Sequence, residues 1–356
     1  MTSLPPKVPR RLRHLAHVVS AYNACLRLEA SIQQAINDNS EDVGKKMIYA
    51  RILGYLIHYV PTDQGLKTIV DEIASCKDDI ACLQLGRMYF EHFIRAFRAR
   101  KGRTSTPSSS ASRPSFDTIQ DMIKDTLVEA PQSHKQAKQL ALIRDGYRCV
   151  VTGGYDRNSV RTIAELKRRV TSDPKGVSAL TECAHIFAES TNASIGPGSE
   201  KREYAASMWA VMTRFGYEKL PEELNGARVH RLENVMTLVP AFHLDFDGLE
   251  VWFAATEVEN KYKLEAVDSL TLRGYPEYVT FTSPDPAKYP LPSPVYLAIH
   301  AACAKVAHLS GAAACIDKYD EDLDDSTTLD PSGKSADLLE HALFKGLQAL
   351  AEVQAE

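Results

Sequence analysis

At 356 residues and 44% hydrophobic content, the chain is long enough to bury a large core and to divide into two domains. A formal net charge of -4 and an isoelectric point near 6.3 exclude a broadly basic surface, so binding to a polyanion has to rest on a local patch. Seven cysteines without a C-x-x-C pair argue for reduced thiols in an intracellular protein, nuclear or cytoplasmic, rather than a disulfide framework. The opening MTSLPPKVPRRLRHL lacks the apolar stretch of a secretory signal. The run Val295 to Ile316 holds His300, Lys305 and His308 and is too polar to span a bilayer, so no membrane association is expected.

Residues 1–101 read as a helical domain. Leu12, Leu15, Val19, Tyr22 and Leu26 recur at three and four, and a second stripe of Ile48, Ile52, Leu56 and Tyr59 ends at Pro61. A third helix covers Gly65 to Ser75. A fourth starts at Asp78 or Asp79 and runs to about Arg100, ending in a basic cluster that reads first as a solvated helix end and second as a phosphate contact. With no further motif, this domain is a candidate for homodimer or protein-partner contacts. Residues 102–116, rich in serine, threonine and proline, read as a linker.

Residues 117–316 form the second unit. A helix ends at Arg144-Asp145-Gly146, a strand is expected over Cys149 to Val151, and Gly153-Gly154 marks a turn. Helices are expected over Ala164 to Val170 and Glu200 to Phe215, with a strand from Ala179 to Ile186 between them. Trp252 to Ala254, Lys261 to Val267, Ser269 to Leu272 and Tyr278 to Phe281 read as antiparallel strands. Ser293 and Pro294 then open a helix that stops at Ser310-Gly311. Residues 317–335 are acidic and expected to be disordered, and 336–356 form a last amphipathic helix. The fold class is therefore α+β, with an N-terminal helical domain.

Two stretches carry chemistry. Glu182 to Ser190 reads E-C-A-H-I-F-A-E-S, and Glu233 to Gly248 reads E-N-V-M-T-L-V-P-A-F-H-L-D-F-D-G. His243 and Asp247 are four apart, so on a helix the imidazole and the carboxylate share a face and make half of a divalent-metal site. His185, at the end of a strand-like segment, is placed to act as a base. His230 lies outside this pattern and reads as surface or structural. Side chains alternate along a strand, so Glu182 faces opposite His185 while Cys183 shares its face.

Taken in order, R-D-G-Y-R-C-x-x-T-G at Arg144 to Gly153, A-H-I at Ala184 to Ile186, Trp209, E-N-x-x-T-L at Glu233 to Leu238 and H-x-x-F-D at His243 to Asp247 resemble HNH nuclease-domain proteins of the ββα-metal superfamily, in a form common in large fungal families. The resemblance covers about Leu140 to Ile316. It implies a metal-dependent endonuclease hydrolysing phosphodiester bonds in nucleic acid, DNA before RNA. His185 would be the general base, and Asn234 would hold the loop that carries it. His243 and Asp247 would hold one divalent ion, Mg or Mn first, with Ni, Co or Zn as alternatives. Arg144, Arg148, Lys167, Arg168 and Arg169 are the candidates for the substrate backbone. Many members place Asp or His where this chain has Ala184. An HNH scaffold without catalysis, serving as a nucleic-acid- or protein-binding module, is therefore the alternative. Cys149 has no partner cysteines, so no structural zinc knuckle is expected.

Overall fold

A computed structural model describes residues 2–37, 44–98, 119–124, 135–174, 176–192 and 200–325. The linker 102–116 and the final helix 336–356 lie outside them. The chain is mixed helix and sheet. Its helical opening comprises α1 (Ala16–Asn37), α2 (Gly44–Tyr59), α3 (Asp63–Ser75) and α4 (Asp79–Tyr89). Thr62 and Asp78 cap α3 and α4, their side chains accepting from Gly65 N and Ala81 N.

After α4 the backbone loosens into a π turn over Phe90–Ile94 before helical residues Arg95–Phe97. Of the basic end, the described residues Arg95 and Arg98 are not solvated. Arg98 is buried, donates to the carbonyl of Gly248 at 2.5 Å and pairs with Asp317 and Glu250. Arg95 pairs with Glu91 at 2.7 Å.

The expected division at 102–116 does not separate two cores. One hydrophobic cluster runs from Leu4 to Ile316 and takes in both sides. At its centre is α2, buried at every position from Met47 to Ile57 except Tyr49. It packs on α1, α4 and a helix near the C-terminus, α10 (Pro294–Ser310). A helix buried on all sides has to be wrapped on all sides, which here draws α1, α4 and α10 around it.

The second half contains α5 (Lys135–Arg144), β1 (Tyr155–Asp156), α6 (Arg157–Thr162), α7 (Ala164–Ser172), β2 (Ser178–Ala179), β3 (Glu182–His185), α8 (Glu200–Arg214), β4 (Val235–Leu238), α9 (Pro240–Asp247), β5 (Val251–Ala255), β6 (Lys261–Ala266), β7 (Tyr278–Thr280), α10 and α11 (Ala312–Asp325). Ser293 caps α10, and Gly311 ends it with φ 86°, a left-handed value that suits glycine.

Three local expectations are corrected. Cys149 to Val151 is not a strand: Gly153, at φ 70°, lets the chain double back, with Gly153 N on Cys149 O and Cys149 N on Gly154 O. Residues 269–272 form turns, held by Leu270 N on the Asp268 carboxylate and Thr271 N on Asp268 O. The acidic segment expected to be disordered from residue 317 continues as α11 to Asp325.

β3 and β4 pair antiparallel, with Glu182 opposite Leu238 and His185 opposite Val235. Alternation divides their side chains between two layers. Ala184, Met236 and Leu238 join the main core with Phe242 and Phe246 of α9. Cys183 and Val235 pack with Ala137 and Ala141 of α5. The hairpin is thus held between two helices. β5, β6 and β7 make a separate antiparallel sheet. Among the described residues, no single helix is long and apolar enough to cross a membrane.

Candidate metal and catalytic site

Asn234 is fully buried at the start of β4 and uses its whole amide. Its Oδ1 accepts from Phe187 N at 2.9 Å, and its Nδ2 donates to Phe187 O at 3.0 Å and Val229 O at 2.8 Å. Ile186 N adds a bond to Asn234 O at 2.8 Å. One side chain therefore fixes two loops, the one leaving His185 and the one ending at His230.

The other edge of β4 is held by the R-D-G stretch. Asp145 accepts Thr237 N at 3.0 Å, and Val150 N donates to Thr237 O at 2.9 Å. Arg144, 1% exposed, donates to Leu232 O, Val235 O and Pro290 O and pairs with Asp145. Although it borders the cleft described below, its side chain is 0% exposed and its donors are taken up by carbonyls and Asp145, so they are not open to a nucleic-acid backbone, its expected place. A buried guanidinium has five donors to satisfy, and the chain around β4 supplies the acceptors.

On α9, Phe242 and Phe246 point into the core, and Phe246 stacks on His300 of α10 with ring centres 3.8 Å apart. That fixes the helix rotation and leaves His243 and Asp247 together on a half-buried face. His243 Nε2 lies 3.3 Å from Asp247 Oδ2, and His243 Nδ1 lies 2.7 Å from Glu182 Oε2. Glu182 reaches α9 because it sits on the face of β3 opposite His185.

His185 is half-buried at the other end of β3, about 10 Å along the strand from Glu182. Its Nε2 lies 3.0 Å from His230 Nδ1, and Glu189 comes close to both: one donor atom from each of the three fits within 4.8 Å of the others. Among the described residues this is the one such set of three metal-ligating side chains, and it does not include His243 or Asp247. His185 therefore does not share a compact set of ligand atoms with the His243–Asp247 pair. No sequence motif points to His230 or Glu189. The pairing register is the available signal, since residues just before Val235 must lie just beyond His185.

Burial pushes the Cys183 thiol up to about 12, in keeping with its packing against Ala137 and Ala141.

The remaining cations line a neighbouring surface. A cleft of about 660 Å³ is bordered by Arg148, Tyr155, Glu165, Arg169 and Ser283. Arg148 lies over the Tyr155 ring at 3.8 Å. Lys167, Arg168 and Arg169 are exposed on α7, with Arg168 and Arg169 both paired to Glu165. No protein-family model, curated protein or solved structure matches this chain.

Proposed function

We propose that this chain is a metal-dependent phosphodiesterase acting on nucleic acid, DNA first, with the metal held on α9 and His185 as general base. The observation that carries the reading is the clamping of His243 between two carboxylates. Glu182 only accepts hydrogen bonds when ionised, so Nδ1–H donates to it, and in the neutral imidazole the Nε2 lone pair is then turned toward Asp247. Two acceptors facing each other at 3.3 Å repel, and a cation between them removes the repulsion. His243 Nε2 and the Asp247 carboxylate would then be ligands, and Glu182 the outer carboxylate that orients the imidazole. That donor set, completed by water, suits Mg or Mn, and Ni, Co or Zn by the same atoms.

When bound, a divalent ion there would neutralise charge on a phosphate oxygen. His185 would take the proton of the attacking water. In the tautomer whose Nε2 donates to His230 Nδ1, the basic lone pair sits on Nδ1, and Asn234 holds the loop in place behind it. Arg148 and the α7 cations are the groups available to a substrate backbone.

The test is nicking of supercoiled plasmid with Mg, Mn, Ni or Co by the purified chain and by His185→Ala and Asp247→Ala. Cleavage lost in both variants supports the reading, and no cleavage with any of the four ions sinks it. The second reading is a non-catalytic nucleic-acid-binding scaffold. It is favoured by Ala184, buried where a further ligand would stand, and by the distance along β3 between His185 and the α9 pair. DNA binding without turnover would select it.

A further inference from the structure

We propose that His185, Glu189 and His230 form a second metal site, built for zinc and separate from the His243–Asp247 pair. Two imidazole nitrogens bound to one zinc at about 2.0–2.1 Å in a tetrahedral shell lie about 3.3 Å apart. His185 Nε2 and His230 Nδ1 are 3.0 Å apart, so a few tenths of an ångström would admit the ion. The Glu189 carboxylate lies within 4.8 Å of both and completes a set of two imidazoles and a carboxylate. All three residues are half-buried.

The geometry is also preorganised. Asn234 binds Phe187, two residues beyond His185, and Val229, the residue just before His230, so the loops bearing these ligands are fixed by one buried amide. The donor types choose the metal: two imidazoles and one carboxylate favour a borderline ion over Mg or Ca. On binding, the proton between the two rings moves to the outer nitrogen of the donating imidazole, and zinc takes its place. The consequence rests on the reading above. A metallated His185 has no lone pair at Nε2, carries its proton on Nδ1 and cannot act as a base, so zinc would inhibit cleavage supported by Mg or Mn.

The experiment titrates zinc alone into chelator-stripped full-length protein against a chromogenic chelator, with cobalt absorption reporting tetrahedral coordination. The expected result is one zinc per chain at this site, lost in His230→Ala and weakened at least tenfold in Glu189→Gln. Asp247→Asn should leave it unchanged. Glu189 is half-buried and opens the short 3-10 turn Glu189–Asn192, and its change to Gln keeps the side-chain shape, so this variant keeps the test valid if His230→Ala misfolds. Failure of the wild type to bind zinc, retention of full affinity in Glu189→Gln, or loss in Asp247→Asn would each overturn the proposal. Zinc binding needs no turnover, so the outcome stands whether or not the chain cuts DNA. If it does, zinc should inhibit the wild type more strongly than Glu189→Gln, each compared with its own zinc-free rate.

Discussion

Glu182 Oε2 stands 2.7 Å from His243 Nδ1, joining the first residue of β3 to a residue one turn into α9. On the proposed function, the contact would make Glu182 an orienting group rather than a ligand, and the two roles differ measurably. Glu182→Gln keeps the shape and loses the charge, so Mn affinity should fall about 10- to 100-fold. On the same proposal Asp247→Ala would remove a ligand outright, and affinity should fall further. Calorimetric Mn titration of both variants decides this; equal affinity in Glu182→Gln and the wild type would leave Glu182 with packing alone.

Arg144 is the opposite case, a cation expected on substrate and found inside. Truncation to Ala strands the Leu232 and Val235 carbonyls and the Asp145 carboxylate together. Breaking a buried pair this way costs about 3–5 kcal/mol. Urea unfolding should show that loss, whereas a mere substrate contact would leave the midpoint unchanged.

Acid should weaken the fold through its buried histidines. Burial lowers His58, His92 and His300 from 6.5 to about 4, with Arg11 adding to the effect at His58. At His300 the bond to the Phe246 carbonyl works the other way, and burial outweighs it. Between these values the unfolded chain binds protons that the folded chain refuses. Stability from these groups is therefore complete above about pH 6.5 and lost as pH falls toward about 4. Urea midpoints across that range should decline, and His300→Gln should reduce the slope by about one proton. A flat profile would remove these histidines as the cause.

Nucleic-acid binding, if it uses the α7 surface, should answer to salt. Replacing Lys167, Arg168 and Arg169 with Ala should weaken binding alike for all sequences. The salt slope should fall by about one unit for each phosphate that the variant no longer neutralises. Because Glu165 already pairs with two of these cations, Lys167 should account for the largest single share. Fluorescence anisotropy at several salt concentrations measures both, and an unchanged slope would exclude α7 as the binding surface.

The chain itself determined its helices and several of the caps that bound them. Asp78 and Ser293, which start helices, and Gly311, which ends one, act within a few residues, so their effect is local and readable. It also placed His243 beside Asp247, because an i, i+4 pair on a helix needs no distant partner. Tertiary structure decided everything that depends on what lies across a gap. Arg144 became internal because three carbonyls remote in sequence converge on it. Glu182 reached His243, and His230 reached His185, through the register of β3 on β4. Register is set by which side chains bury together, and that is a property of the assembled core, so no spacing along the chain could announce it.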